Sequence, residues 1–241
     1  MKRLALLAAI AVAVPAASGS LAGPVVVELF TSEGCSSCPP ADALLSSLAR
    51  DGVDGIRVLA LSEHVDYWDG PAWRDPYSSP ELTRRQLAYD RAMGVDSAYT
   101  PQAVVNGGAQ VVGSDSPSLR AAVLRAAKRP LGALVLRRSP SGVEVEGVWP
   151  GGRAAVLVAL LEDGVRSVVR GGENAGRTLR HDGVARWLAR VGEGEGSFRG
   201  EVPLPAPPGQ GTFHVVALAQ EGRGGRILAA GELARPYAAD P

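Results

Sequence analysis

The chain has 241 residues, 46% of them hydrophobic and 21% charged, with 25 basic and 25 acidic side chains. This length and balance suit one large or two small folded units and exclude a disordered chain. The near-zero net charge gives no footing for a polyanion-binding role, so no nucleic-acid partner is expected.

Met1-Lys2-Arg3 precedes an apolar run over residues 4–14, followed by Pro15 and small residues up to Gly23. This is the layout of a secretory signal, and residues 1–22 are read as one. The apolar run falls well short of the roughly 20 residues that a membrane-spanning helix needs. Cleavage after Ala17-Ser18-Gly19 or after Ser20-Leu21-Ala22 would leave a periplasmic or secreted protein with no stable membrane insertion.

Residues 25–30 (VVVELF) read as a buried strand, bounded by Gly23-Pro24 and by Thr31-Ser32-Glu33-Gly34. CSSCPP follows, then a helix carrying Leu44, Leu45 and Leu48, stopped at Asp51-Gly52. Prolines fit a first helical turn, where their missing N–H would be unpaired anyway. A second apolar run over 56–61 (IRVLAL) completes a β-α-β unit, whose crossover implies parallel pairing. The aromatic and acidic stretch 63–76 reads as a loop. Ser79-Pro80-Glu81 then caps a helix with Leu82, Gln86, Tyr89 and Met93 on one face and Gly94 at its end. After Thr100-Pro101, short strands over 103–105 and 110–112 flank Asn106-Gly107-Gly108, a hairpin signal, and Ser116-Pro117 opens a helix reaching Lys128. The order β-α-β-α-β-β-α over residues 23–130 is the thioredoxin topology.

From Leu131 onward the texture changes to short alternating runs separated by Gly and Pro, which predict a mainly antiparallel, sandwich-like β unit over 131–241. The fold class expected is therefore α/β, a thioredoxin-like domain followed by a β-rich one. Residues 192–196 (GEGEG) neither follow a strand nor open a helix as a phosphate loop does, and are read as a loop.

Cys35 and Cys38 are the only cysteines. A disulfide across so short a loop removes little unfolded-chain entropy, well under the roughly 3 kcal/mol of a 15-residue loop, so chemistry explains the pair better than stapling. The positive end of a helix stabilises a thiolate, which casts Cys35 as the attacking thiol and Cys38 as the resolving one. Pro101, after Thr100, stands where this topology places a cis-proline beside the dithiol, with Thr100 available to a substrate. His64 and Asp66 follow the carboxyl end of the second parallel strand, the edge that carries sites in open α/β sheets. Either His64 or a nearby carboxylate moves the exchange proton, or His64, Asp66, Trp68, Asp69 and Trp73 form a hydrogen-bonded loop beside the site. In the substrate-binding reading the set is Thr100, His64, Asp66 and Trp68. His181 and His214 read as ordinary surface or strand histidines. Two rival readings stand: a copper-handling module using Cys35, Cys38 and His64, or a protein-binding module carrying an inert disulfide.

The stretches VVVELFTSEGCSSCPPADALL, HVDYWDGPAWRDPYSSPELTRRQLAY, YTPQAVVNG and GGENAGRTLRHDGVARWL closely resemble the family known as domain of unknown function 1223. The resemblance implies export and a thioredoxin-like fold, with Cys35, Cys38 and Thr100-Pro101 at the family's motif positions, and no assigned activity. Glu63 stands where a more apolar residue is expected, and Glu33-Gly34 replaces the tryptophan that precedes the dithiol in thioredoxins. The expected activity is thiol-disulfide exchange with a protein thiol or disulfide and a redox partner protein. No cofactor or metal is called for.

Overall fold

Residues 23–208, 211–233 and 237 are described by a computed structural model; the expected signal segment lies outside them. β1 (Val25–Thr31) is buried throughout, α1 (Pro39–Asp51) crosses over, and β2 (Val58–His64) pairs parallel to β1 from Val25↔Val58 to Thr31↔His64. A run buried on both faces suits β-branched side chains, and a helix supplies the crossover that parallel strands require. α2 (Pro80–Met93) begins where the Ser79 side chain accepts from the Glu81 N–H, and it ends at Gly94 in the left-handed region.

β3 (Gln102–Val105) lies antiparallel on the other side of β1 and is joined to β4 (Ala109–Val112) by Asn106 and Gly107, both at positive φ. Such turns match the twist of a hairpin. A Cβ on Gly107 would also lie 2.3 Å from the Gly225 carbonyl, so this turn must be bare where it meets the C-terminal half. α3 (Ser116–Ala127) closes the N-terminal half, whose strand order is β4-β3-β1-β2.

The C-terminal half comprises β5 (Gly132–Ser139), β6 (Gly142–Asp163), β7 (Val165–Val168), β8 (Thr178–His181), β9 (Val184–Pro203), β10 (Thr212–Gln220) and β11 (Ile227–Glu232). β5, β6, β9, β10 and β11 do not stand apart as a sandwich. They continue the N-terminal sheet into one of nine strands, β9 joining β2 through Ser62↔Val184. β6 pairs with β5 near its start and with β10 near its end, and β11 bridges β10 to β5. This ring encloses Leu134, Val145, Trp149, Val158, Phe213 and Val215.

Two of these strands are far longer than the sequence pattern suggests, at 22 and 20 residues. Residues 192–196, expected as a loop, lie inside β9. Glu193 and Glu195 face solvent, while a Cβ on Gly192 would stand 2.6 Å from the Phe198 ring and one on Gly194 1.8 Å from the Ser197 carbonyl. The alternation of period two is present, but its inner positions carry no side chain because Phe198 and the neighbouring backbone fill the space.

Alternation along β1 and β2 sorts their side chains onto two faces. Val25, Val27, Leu29, Val58 and Ala60 pack with Leu45 and Leu48 of α1 and Leu119 of α3. Val26, Leu59 and Leu61 pack with Leu82 of α2 and with Leu157, Leu161, Val216 and Leu218 of the C-terminal half. Among the described residues no helix is long and apolar enough to cross a membrane.

Candidate functional site

β1 ends at Thr31, and the chain turns so that the Cys35 N–H donates to the Ser32 carbonyl. Cys38 caps α1, with Pro39 and Pro40 opening the first turn, and its carbonyl accepts from the N–H groups of Ala41 and Asp42. Cys35 and Cys38 form a disulfide with their Cα atoms 5.4 Å apart. Both cysteines are 0% exposed, and only Ser36 and Ser37 of the motif face solvent.

One cover over this disulfide comes from the C-terminal half, in the loop between β7 and β8. The Asn174 carboxamide is fully buried and donates to the carbonyls of Glu33 and Cys35, 2.9 Å each. Arg177 fixes the orientation of that amide by donating to its oxygen at 2.7 Å. Glu173 accepts from the Ser36 N–H at 3.0 Å, a contact that holds its carboxyl below the usual range. A Cβ on Gly171 would lie 1.8 Å from the Ala72 carbonyl, so this loop is seated against the 65–79 segment with no room for a side chain.

Trp68 forms a wall. Its indole N–H donates to the Thr100 hydroxyl at 2.8 Å, and its backbone and Cβ lie against Gly34, next to Cys35. The Thr100–Pro101 bond is cis. A Cβ on Gly113 would lie 2.5 Å from the Leu29 side chain, 3.2 Å from Pro101 and 3.3 Å from Ala41 of the first α1 turn, so Pro101 and the start of the helix both border Gly113.

Beneath the motif lies a buried polar cluster on the α1 face. His64 Nδ1 is 2.7 Å from Asp75 Oδ2, and that carboxylate also accepts from the N–H groups of Glu33 and Tyr77. Burial alone pushes His64 down, but Asp75, with Asp42 and Glu33 behind it, holds the imidazole above its ordinary value. Burial likewise pushes Asp75 up, and His64 and the backbone donors outweigh it, leaving the carboxyl below its usual range. The His181 ring stands edge-on to His64, with Nε2 3.4 Å from Glu33 and Nδ1 3.6 Å from Asp42. Asp42 lies one turn beyond Cys38, accepts from the Thr31 hydroxyl, and is raised by burial more than His181 and His64 lower it. Among the described residues, His64 Nε2, both ring nitrogens of His181 and one Glu33 oxygen have no hydrogen-bond partner.

A second buried network lies on the opposite sheet face. Arg85 donates to Glu28, Tyr89 and Gln220, and Glu63 lies 3.4 Å from its guanidinium. Burial, followed by the neighbouring Glu28, raises Glu63 well above the carboxylate range.

The structure brings Cys35, Cys38, Pro101, Thr100 and Trp68 together. His64 is fully buried beneath them, out of reach of anything in solvent, and Asp66 turns away to accept from the Thr83 hydroxyl at 2.6 Å. Trp73 donates to Glu33, and Asp69 accepts from the Asp75 N–H and Ser78, so residues 65–76 are a hydrogen-bonded loop beside the motif, whereas Glu63 and His64, expected in that loop, are the last residues of β2. His181, read from sequence as an ordinary strand or surface histidine, is instead 1% exposed within the cluster. Asn174, Glu173, Glu33, Asp42 and Asp75 were not legible as site residues. For Glu173 and Asn174 the one sequence signal is the polar GGENAGR run set between strands; Glu33, Asp42 and Asp75 lie outside it. Among the described residues no group of three or more His, Cys, Asp or Glu side chains is arranged to hold a metal ion.

The family model described as "Protein of unknown function (DUF1223)" matches residues 26–220. The chain belongs to that family. Protein AGR_C_4864 from Agrobacterium tumefaciens, known from a crystal structure, is similar to this family member at 30% identity and a TM-score of 0.72, over 88% of this chain and 94% of that one. HBP35 of Porphyromonas gingivalis shares the fold alone, at 15% identity and a TM-score of 0.58, over 92% and 80% of the two chains. No curated protein matches this DUF1223 chain significantly.

Proposed function

We propose that this protein is an exported thiol-disulfide oxidoreductase with a thioredoxin-like N-terminal unit, cycling between the Cys35–Cys38 disulfide and a dithiol. The observation that carries the reading is a two-residue-spaced disulfide at the junction of a buried parallel strand and a helix, with Pro101 and the first turn of that helix both bordering Gly113. A pair at this spacing stabilises the fold little, whereas a helix start favours the thiolate that exchange requires. Partners of this chemistry are protein thiols or disulfides. The signal-like layout of residues 1–22 supports an oxidising compartment, where such a pair persists.

The test is equilibration of the purified protein in dithiothreitol and glutathione buffers of graded potential, read as a mass shift after alkylation. A single two-electron transition, absent in Cys35→Ser, is expected. A pair that stays oxidised in every buffer would sink the reading. In the trapping version, Cys38→Ser accumulates mixed disulfides through Cys35, whereas Cys35→Ser traps none.

A further inference from the structure

We infer that residues 170–177 form a latch that gates access to the disulfide, with Asn174 as its positioning residue. The inference rests on the exchange activity proposed above and adds its control.

Exchange needs a sulfur that an attacking group can approach in line with the S–S bond, and both sulfurs here are sealed, with the cysteines 0% exposed. Opening has to begin somewhere, and the two ends of the motif are held differently. Cys38 is fixed by helix α1, whose first-turn N–H groups bind its carbonyl. At the Cys35–Ser36 end the Cys35 N–H is bound by the Ser32 carbonyl and the Cys35 carbonyl accepts from the Cys38 N–H, but the remaining hold comes from the other half, from Asn174 on the carbonyls of Glu33 and Cys35 and from Glu173 on the Ser36 N–H. Lifting the latch therefore uncovers Cys35 and leaves Cys38 buried. This asymmetry assigns attack to Cys35 by access.

The latch has the form of a separable piece. It closes on itself through bonds from Val169 N–H to the Arg177 carbonyl and from Gly176 N–H to the Val169 carbonyl, and its tip carries Glu173, Asn174 and Ala175. Its seat on the other half is Gly171 against the Ala72 backbone and Gly172 beside the Trp73 Cβ, with no side chain of the latch's own at either point. Segments held by few apolar contacts open well below the free energy of global unfolding.

The chemistry behind the gate balances as ordinary exchange. A partner thiolate bonds to Sγ of Cys35, the Cys35–Cys38 bond breaks, and Cys38 leaves as a thiolate that takes up a proton. A second partner thiol, giving up its proton, then breaks the mixed disulfide. The partner leaves as a disulfide and the pair as two thiols.

The experiment measures the rate at which a water-soluble phosphine reduces the pair in the full chain, because with water this reagent drives any accessible disulfide to two thiols whatever its potential. Asn174→Ala removes two buried donors and is expected to speed reduction at least tenfold. Asn174→Asp keeps the shape but aims an acceptor at two carbonyls, and should speed it at least as much. Glu173→Ala, at an exposed position that leaves the fold intact, should give about threefold. Local opening also predicts a wild-type rate nearly independent of low urea, since little surface is exposed. Rates unchanged in Asn174→Asp and Glu173→Ala overturn the latch, as does a wild-type rate that climbs with urea at the full unfolding slope from the first addition. Failure of the exchange activity looks different: the variants speed phosphine reduction, yet the pair never equilibrates with dithiothreitol or glutathione.

Discussion

His64 and Asp75 face each other at 2.7 Å with neither side chain exposed, and Asp75 also holds the backbone of Glu33, two residues before Cys35. Breaking a buried pair by removing one charge costs far more than the pair itself contributes. Asp75→Asn should therefore lower stability by about 3 kcal/mol in urea unfolding. The pH dependence follows from the two shifts. His64 is raised in the fold, so its contribution is complete below the ordinary imidazole value of about 6.5 and is lost as pH rises through the raised value. Asp75 is lowered, so its contribution is complete above about 3.9 and is lost as pH falls through the depressed value. The gap between wild type and Asp75→Asn should thus be widest between about pH 4 and 6.5 and should shrink on both sides. A gap that is flat from pH 4 to 9 would show that the imidazole does not titrate within the pair.

At the scale of elements, the N-terminal strands and helices were legible because each carries its own punctuation: Pro39-Pro40 opens α1, Ser79 and Gly94 bound α2, and Asn106-Gly107 makes the hairpin. The long strands β6 and β9 were not, since their inner faces are partly glycine and their pairing is set by partners far away in sequence. The Arg85 network was not legible: Glu28 sits unremarked inside VVVELF, Glu63 falls in a stretch that reads as a loop, and nothing local names Arg85 of α2 as the partner of either. The arrangement separates the two glutamates. Glu28 is hydrogen-bonded to Arg85 and Tyr89, whereas among the described residues neither oxygen of Glu63 has a hydrogen-bond partner, its Oε1 lies a looser 3.4 Å from Arg85, and burial and Glu28 raise it. Glu63→Gln should therefore be neutral or stabilising at pH 7, within about 1 kcal/mol, because it removes a carboxyl that is costly to ionise there. Arg85→Met strands Glu28 without a counter-charge and should cost about 3–5 kcal/mol. Chemical denaturation of both variants checks the contrast, and equal losses would show that Glu63 is a full member of the ion pair.

For the whole molecule, the question is whether the half carrying the disulfide stands without the other. Attachments that cross between them include the apolar face of β1 and β2 against β6 and β10, the β2–β9 pairing at Ser62↔Val184, the Arg57–Glu232 ion pair, Gln220 in the Arg85 network, Asn106 and Gly107 against the 225–227 backbone, and the latch and His181 around the motif. The first dominates. Val26, Leu59, Leu61 and Leu82 are each under 5% exposed, and burying such side chains contributes on the order of 1.5–3 kcal/mol apiece. Their sum, roughly 8 kcal/mol, rivals the entire stability of a typical domain, about 5–15 kcal/mol. A fragment ending at residue 130 would expose that face and leave Glu28 and Arg85 without Gln220. It is thus expected to bind a hydrophobic dye, to unfold without a cooperative transition, and to yield its disulfide to a phosphine as fast as a short peptide does. Cooperative unfolding of the fragment, together with a protected disulfide, would mean that the N-terminal half carries its own cover and that the C-terminal half only decorates it. The interface argues the reverse: the β-rich half supplies one wall of the core and, through Asn174 and Glu173, contacts on the backbone around Cys35, so the Cys35–Cys38 disulfide is expected to be protected only with both halves present.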